Sequence, residues 1–196
     1  MKDNITVLGV GNILYTDDGA GIRVVEKLEA EYEFSDNVII VDGGVLGINL
    51  LGVISNAGKL IVVDTVLNNG APGDLHRLNH EQIPNRILAK NSLHQVDLIE
   101  ALPLCSTLDH VPRTTIIGIE PGDLNTLGEV LTPEVDAGLE NLAAEVLEEI
   151  SAQGGTWAAK QGGPSGISGS CQFSYRLLNM KAFQGPPMPS TCRSPR

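Results

Sequence analysis

The stretch Ile5-Thr6-Val7-Leu8-Gly9-Val10-Gly11-Asn12, with Asp17-Asp18-Gly19-Ala20-Gly21 close behind it, decides how this chain is read. The apolar run from Ile5 to Val10 is a buried strand, and Gly9 and Gly11 allow a tight turn at its end. A dinucleotide-binding turn starts in the same way and then offers helix-start N–H groups to a phosphate. Here two adjacent carboxylates stand in that place. Asp17 and Asp18 repel a pyrophosphate and attract a cation or a donor-rich partner, so a nucleotide-binding domain is the weakest reading.

Outward from this stretch, strands and helices alternate. Val38–Val41 and Leu60–Val63 are further continuous apolar strands, and Gly73–Leu78 and Thr114–Ile119 continue the series. Helices are expected from Gly19 to about Glu33, from about Gly47 to Ser55, and near Leu93–Leu102. A last helix opens with Thr132 as N-cap and Pro133 at its first position, with Val135, Leu139, Leu142, Val146 and Ile150 as its inner stripe. Val/Ile-rich strands covered by helices imply an α/β fold: three layers, with a mostly parallel twisted sheet between helices.

Ligands of such sheets bind at the carboxyl ends of the strands. The first three strands end at Gly9-Val10-Gly11-Asn12, Asp42-Gly43-Gly44 and Asp64-Thr65, so Asp18, Asp42 and Asp64 are expected along one edge. Carboxylates gathered there call for a cation or for protons. His94, at the start of an expected helix, faces the same edge, whereas His76 and His80 read as ordinary surface residues. One imidazole with two or three carboxylates suits zinc, nickel or a similar divalent ion. Singly, each residue has a structural reading, as a cap or turn former; the joint placement carries the inference.

The 196 residues suffice for one compact domain and a tail, and 42% of them are hydrophobic. The formal charge of −11 argues against nucleic acid or an anionic membrane as partner. No apolar run approaches a membrane span, and Met1-Lys2-Asp3-Asn4 shows no export signal. Cys105, Cys171 and Cys192 are scattered without a Cys-x-x-Cys pair, which points to a reducing cytoplasm. No acidic residue follows Glu149, while Lys160, Arg176, Lys181, Arg193 and Arg196 do, so the first 149 residues carry about −16. A boundary is therefore expected at 153/154, with 154–196 a Gly/Pro/Ser-rich basic tail that is flexible by default.

Three blocks now point one way. Gly9-Val10-Gly11-Asn12-Ile13-Leu14 with Asp17-Asp18-Gly19-Ala20-Gly21, then Asp42-Gly43-Gly44-Val45-Leu46-Gly47-Ile48-Asn49-Leu50-Leu51-Gly52, then Ser92-Leu93-His94-Gln95 before an apolar helix, resemble the hydrogenase maturation endopeptidases. The likeness runs from about Ile5 to Ile150. It implies a five-stranded sheet and one activity: removal of a C-terminal peptide from the large-subunit precursor of a nickel–iron hydrogenase after nickel insertion. It also implies that the metal-contacting and catalytic positions are Asp18, Asp64 and His94. Glutamate is frequent in the family where Asp18 stands here, a reach shorter by one methylene. Nickel is then expected to arrive in the precursor rather than to be held by the free enzyme. Asn12, Asp17, Asp42, Gly43 and Gly44 are candidates for holding substrate around it. A monomer docking transiently on the precursor is the expected state. The competing reading is a non-catalytic nickel-binding or chaperone module using the same acidic edge.

Overall fold

The computed structural model describes residues 4–45, 51–83 and 111–160. Strand β1 (Ile5–Gly9) leads through a 3-10 turn (Thr16–Gly19) into helix α1 (Ala20–Glu31), then β2 (Tyr32–Phe34) and β3 (Val38–Asp42). Helix α2 (Leu51–Asn56), β4 (Lys59–Thr65), β5 (Leu75–Leu78), β6 (Arg113–Ile119), helix α3 (Pro133–Ala152) and β7 (Trp157–Ala159) follow. Five strands form the central sheet in the order β3-β1-β4-β6-β5; the first four are parallel and β5 runs antiparallel along β6. This is the mostly parallel, five-stranded α/β sheet expected.

Alternation along the strands splits the core into two layers. Ile5, Val7, Ile61, Val63, Ile117 and Ile119 pack with α1 and α3; Leu8, Leu60, Val62 and Ile116 pack with Ile54 of α2. Gly21 brings α1 onto the sheet: a β-carbon there lies 2.3 Å from the Val63 carbonyl oxygen and 2.4 Å from that of Val10. Only glycine lets the helix start press against the ends of β1 and β4.

The connection from β1 leads to β3 on one side, while the chain leaves β4 toward β6 on the other. The carboxyl ends of β1 and β4 therefore flank a topological switch point, where doubly wound sheets open a crevice. Register places Gly9 level with Asp42 on one side and Val63 on the other.

Three sequence expectations are corrected here. Tyr32 does not end the first helix; it opens β2, which pairs with β7 through Tyr32–Ala159, Glu33–Ala158 and Phe34–Trp157. That pairing, with the Trp157 and Tyr32 rings 5.3 Å apart edge to face, extends the folded body beyond the expected limit at 153. The chain divides instead at Gly163/Pro164. Thr132 is the N-cap of α3 with Pro133 at its first position, as expected, and its hydroxyl donates to Asp17. His76 and His80 do not stand free at the surface: His76 bonds Glu120, and the His80 Nδ1 accepts from the Thr114 amide at 3.3 Å. Residues 161–196, the expected helix near Leu93–Leu102, His94 and His110 lie outside the described residues.

Candidate active site

Asp18 and Asp64 sit on either side of the switch point. After β1, Gly11 adopts φ +143°, and a β-carbon on it lies 1.9 Å from the Asp18 carbonyl oxygen. The turn is thus folded back tightly enough that only glycine fits. The Asn12 amide then donates both to that carbonyl at 3.2 Å and to the Asp18 Oδ2 at 3.0 Å. Asp18 is 9% exposed. Asp64, the penultimate residue of β4, is 2% exposed and accepts the Thr65 amide on Oδ1 at 2.8 Å. Both carboxylates thus lie nearly buried at the carboxyl ends of the neighbouring strands β1 and β4.

The other candidates play different parts. Asp17 is fully buried, and four donors close on its carboxylate. The amides of Gly122 and Asp123 and the Thr132 hydroxyl reach Oδ2 at 2.7, 2.8 and 2.8 Å; the Thr132 amide reaches Oδ1 at 2.7 Å. It clamps the loop after β1 to the loop after β6. Asp42 caps its own turn, accepting the Gly44 amide at 2.9 Å, and Gly44 needs its φ of +57° to close it. Asn12 Oδ1 accepts the Leu14 amide at 3.0 Å and shapes the first loop. Gly43 donates to the Gly9 carbonyl at 2.8 Å, and Gly11 donates to that of Gly44 at 3.1 Å, which holds the two turns side by side. Among the described residues no three His, Cys, Asp or Glu side chains form a metal-binding cluster; His94 falls outside that set.

A third acidic group at this edge escaped the sequence reading. Glu120, directly after β6, is 4% exposed and accepts the Asn68 amide at 2.8 Å and His76 Nε2 at 2.7 Å. The Asn68 side-chain amide lies 3.2 Å from His76 Nδ1, which closes the ring and suits an Nε2–H imidazole. The signal available was the strand-end position of Glu120, the same rule that found Asp64. Nearby, the Thr126 hydroxyl and the amides of Asn125 and Thr126 hold the exposed Asp123 carboxyl below its ordinary 3.8.

A hydrogenase maturation protease family model matches residues 22–149, a span that includes Asp64 and His94 and begins just after Asp18. The chain is 39% identical over 153 residues to the hydrogenase 2 maturation protease of Escherichia coli K12, covering 76% of this chain and 92% of that one. The chain belongs to the hydrogenase maturation protease family. A second relative of the family type, the hydrogenase expression/formation protein HoxM of Azotobacter vinelandii, is 38% identical over 161 residues, covering 81% and 78%. Among solved structures, the hydrogenase maturating endopeptidase HybD from E. coli superposes with a TM-score of 0.75 at 36% identity, over 80% of this chain and 98% of that one. Family membership makes the chain a peptidase, a hydrolase.

Proposed function

We propose that this chain removes the C-terminal peptide of a nickel–iron hydrogenase large-subunit precursor once nickel has been inserted. The observation that supports this most is the placement of Asp18 and Asp64, both nearly buried, at the carboxyl ends of the neighbouring strands β1 and β4, in a chain of the maturation protease family. Nickel belongs to the substrate in this reading. The carboxylates of Asp18 and Asp64, with His94, complete its coordination when the precursor docks, so metal loading is the recognition signal. Carboxylates this buried gain more from a bound cation than exposed ones do.

Peptide hydrolysis then needs a water oxygen to bond the scissile carbonyl carbon, the C–N bond to break, and the water's proton to reach the leaving amine. In this reading either Asp64 or Asp18 carries that proton, or the nickel of the docked precursor polarises the carbonyl and the water. The enzyme works as a monomer in the cytoplasm; the scattered cysteines agree with a reducing compartment. No helix among the described residues is long and apolar enough to cross a membrane.

The test is intact-mass analysis of a large-subunit precursor incubated with the chain, with and without prior nickel loading. Loss of a C-terminal peptide from the loaded form alone is expected. A loaded, cognate precursor left whole overturns the proposal, and nickel held tightly by the isolated chain with no peptide released favours the chaperone reading. His94→Ala is expected to abolish cleavage with the fold intact; unchanged cleavage removes His94 from the site.

A further inference from the structure

The chain holds a single Asn-Gly pair, Asn69-Gly70, and the fold sets it at the tip of the loop 66–74 that joins β4 to β5. The loop is pinned on both sides of that tip. Before it, the Asn68 amide donates to Glu120 Oε2 at 2.8 Å. After it, the Ala71 amide donates to Asp74 Oδ2 at 2.8 Å, and the Asp74 amide donates to the Ala71 carbonyl at 3.0 Å. Between the pins, Asn69 and Gly70 are exposed. Neither the Asn69 side chain nor the Gly70 amide has a hydrogen-bond partner among the described residues. Asn69 is also the one non-glycine among them at positive φ, +61°, a turn conformation that asparagine tolerates.

That setting exposes a weak point of asparagine chemistry. The side-chain amide carbon lies within reach of the backbone nitrogen of the next residue, and attack closes a five-membered ring. A side chain on that next residue crowds the ring, and glycine has none. A hydrogen bond from that nitrogen would hold it back, and Gly70 makes none here. In the step, the Gly70 nitrogen bonds the Asn69 Cγ, the Cγ–Nδ2 bond breaks, and ammonia leaves with the proton from Gly70. Water then opens the succinimide at either carbonyl, giving aspartate or isoaspartate at 69. Water is the only co-reactant. The two Asp-Gly pairs of the described chain are guarded by comparison. Asp18 is nearly buried in its 3-10 turn, and the Gly43 amide donates to the Gly9 carbonyl at 2.8 Å.

We infer that Asn69 is a modification site, where this chain deamidates spontaneously, and that the product loosens the loop 66–74 from Glu120. Either product carries a carboxylate where a neutral amide stood. A β-carbon placed on Gly70 lies 2.9 Å from Asp74 Oδ2 and 3.2 Å from Glu120 Oε2, so the new charge stands next to a residue that two carboxylates already flank. Like charges gathered there repel. Isoaspartate also adds a methylene to the main chain between the two pins, which shifts the Asn68 and Ala71 amides relative to each other. The loop begins at the end of the strand that carries Asp64, so an aged molecule changes beside the acidic edge while its sheet stays whole.

Wild-type chain and Asn69→Gly, which keeps the positive φ and removes the amide, are aged in buffer and followed by intact mass and peptide mapping. Wild type is expected to gain about 1 Da, ammonia lost for water taken up, in the peptide that holds residues 69 and 70. The gain is faster at mildly alkaline than at mildly acidic pH, because the attacking nitrogen must shed its proton. Asn69→Gly gains nothing there. Hydrogen exchange at the Asn68 amide is expected to rise with the modified fraction. No gain in wild type, or a gain confined to another asparagine, overturns the site. A gain at 69 with exchange at Asn68 unchanged overturns the loosening. The measurement uses no precursor, so its result is independent of the proposed processing activity.

Discussion

Asp17→Asn, set against Asp18→Asn, separates two neighbouring carboxylates that the sequence presents as equals. In Asp17 three donors converge on Oδ2 and a fourth on Oδ1. An asparagine can offer its one oxygen to the three, and its NH2 then meets the Thr132 amide donor to donor. The three surviving bonds lose their charge assistance, about 1 kcal/mol each, and the Thr132 amide is left without an acceptor, about 1–3 kcal/mol. A neutral amide spares the desolvation of a buried charge, which returns part of this. The net is about 3 kcal/mol of destabilisation. A domain of this size shifts about 2–4 °C per kcal/mol, so the unfolding midpoint falls by roughly 10 °C. Asp18→Asn keeps an oxygen for the Asn12 amide, while cleavage is lost. Urea titration gives the stabilities and intact mass the activity. An Asp17→Asn variant within about 1 kcal/mol of wild type refutes the clamp; an active Asp18→Asn variant refutes the site.

Gly21→Ala, a change that usually favours a helix, is expected to destabilise by about 2–3 kcal/mol, since the new methyl meets two backbone carbonyls; a urea midpoint at or above wild type contradicts the close approach. Thr65 is fully buried with no hydrogen-bond partner for Oγ1, so Thr65→Val is expected to stabilise by about 1 kcal/mol in the same titration, and a loss shows that the hydroxyl is in use. Glu120→Gln keeps an oxygen at the Oε2 position where the Asn68 amide and His76 Nε2 both bond, so it is expected to cost only their charge assistance, about 1 kcal/mol each; hydrogen exchange at Asn68 rises if Glu120 holds that loop and stays put if it does not. Asp123, with its carboxyl held below 3.8, supplies stability that is full above about pH 4 and lost as pH falls through its lowered pKa. Asp123→Asn is therefore expected to remove part of the acid-side loss in unfolding midpoint below about pH 4, and an unaltered pH profile excludes this role.

Runs such as Ile5–Val10 and Leu60–Val63 made the sheet legible, because a strand buried on both faces has to be continuously apolar. The edge that holds Asp18 and Asp64 followed from strand order alone. What stayed hidden was which of two adjacent aspartates turns inward. That depends on the loop Gly122–Thr132, more than a hundred positions away, and no local pattern announces its amides. Tyr32 misled for a related reason: it continues the helical spacing of Leu28, and its strand exists only because Trp157–Ala159 returns to pair with it. His76 looked like a surface histidine because its partners, Asn68 and Glu120, lie on other elements. His94, read from its block, lies outside the described residues.

The Asp17 clamp has a consequence for how such a protein can change. It ties the loop bearing Asp18 to the loop Gly122–Thr132, so the two move as one piece. Exchanging Gly122–Thr132 for a relative's loop keeps that tie only if the incoming loop still brings its amides onto residue 17. A change in the one loop must be inherited together with its anchor in the other.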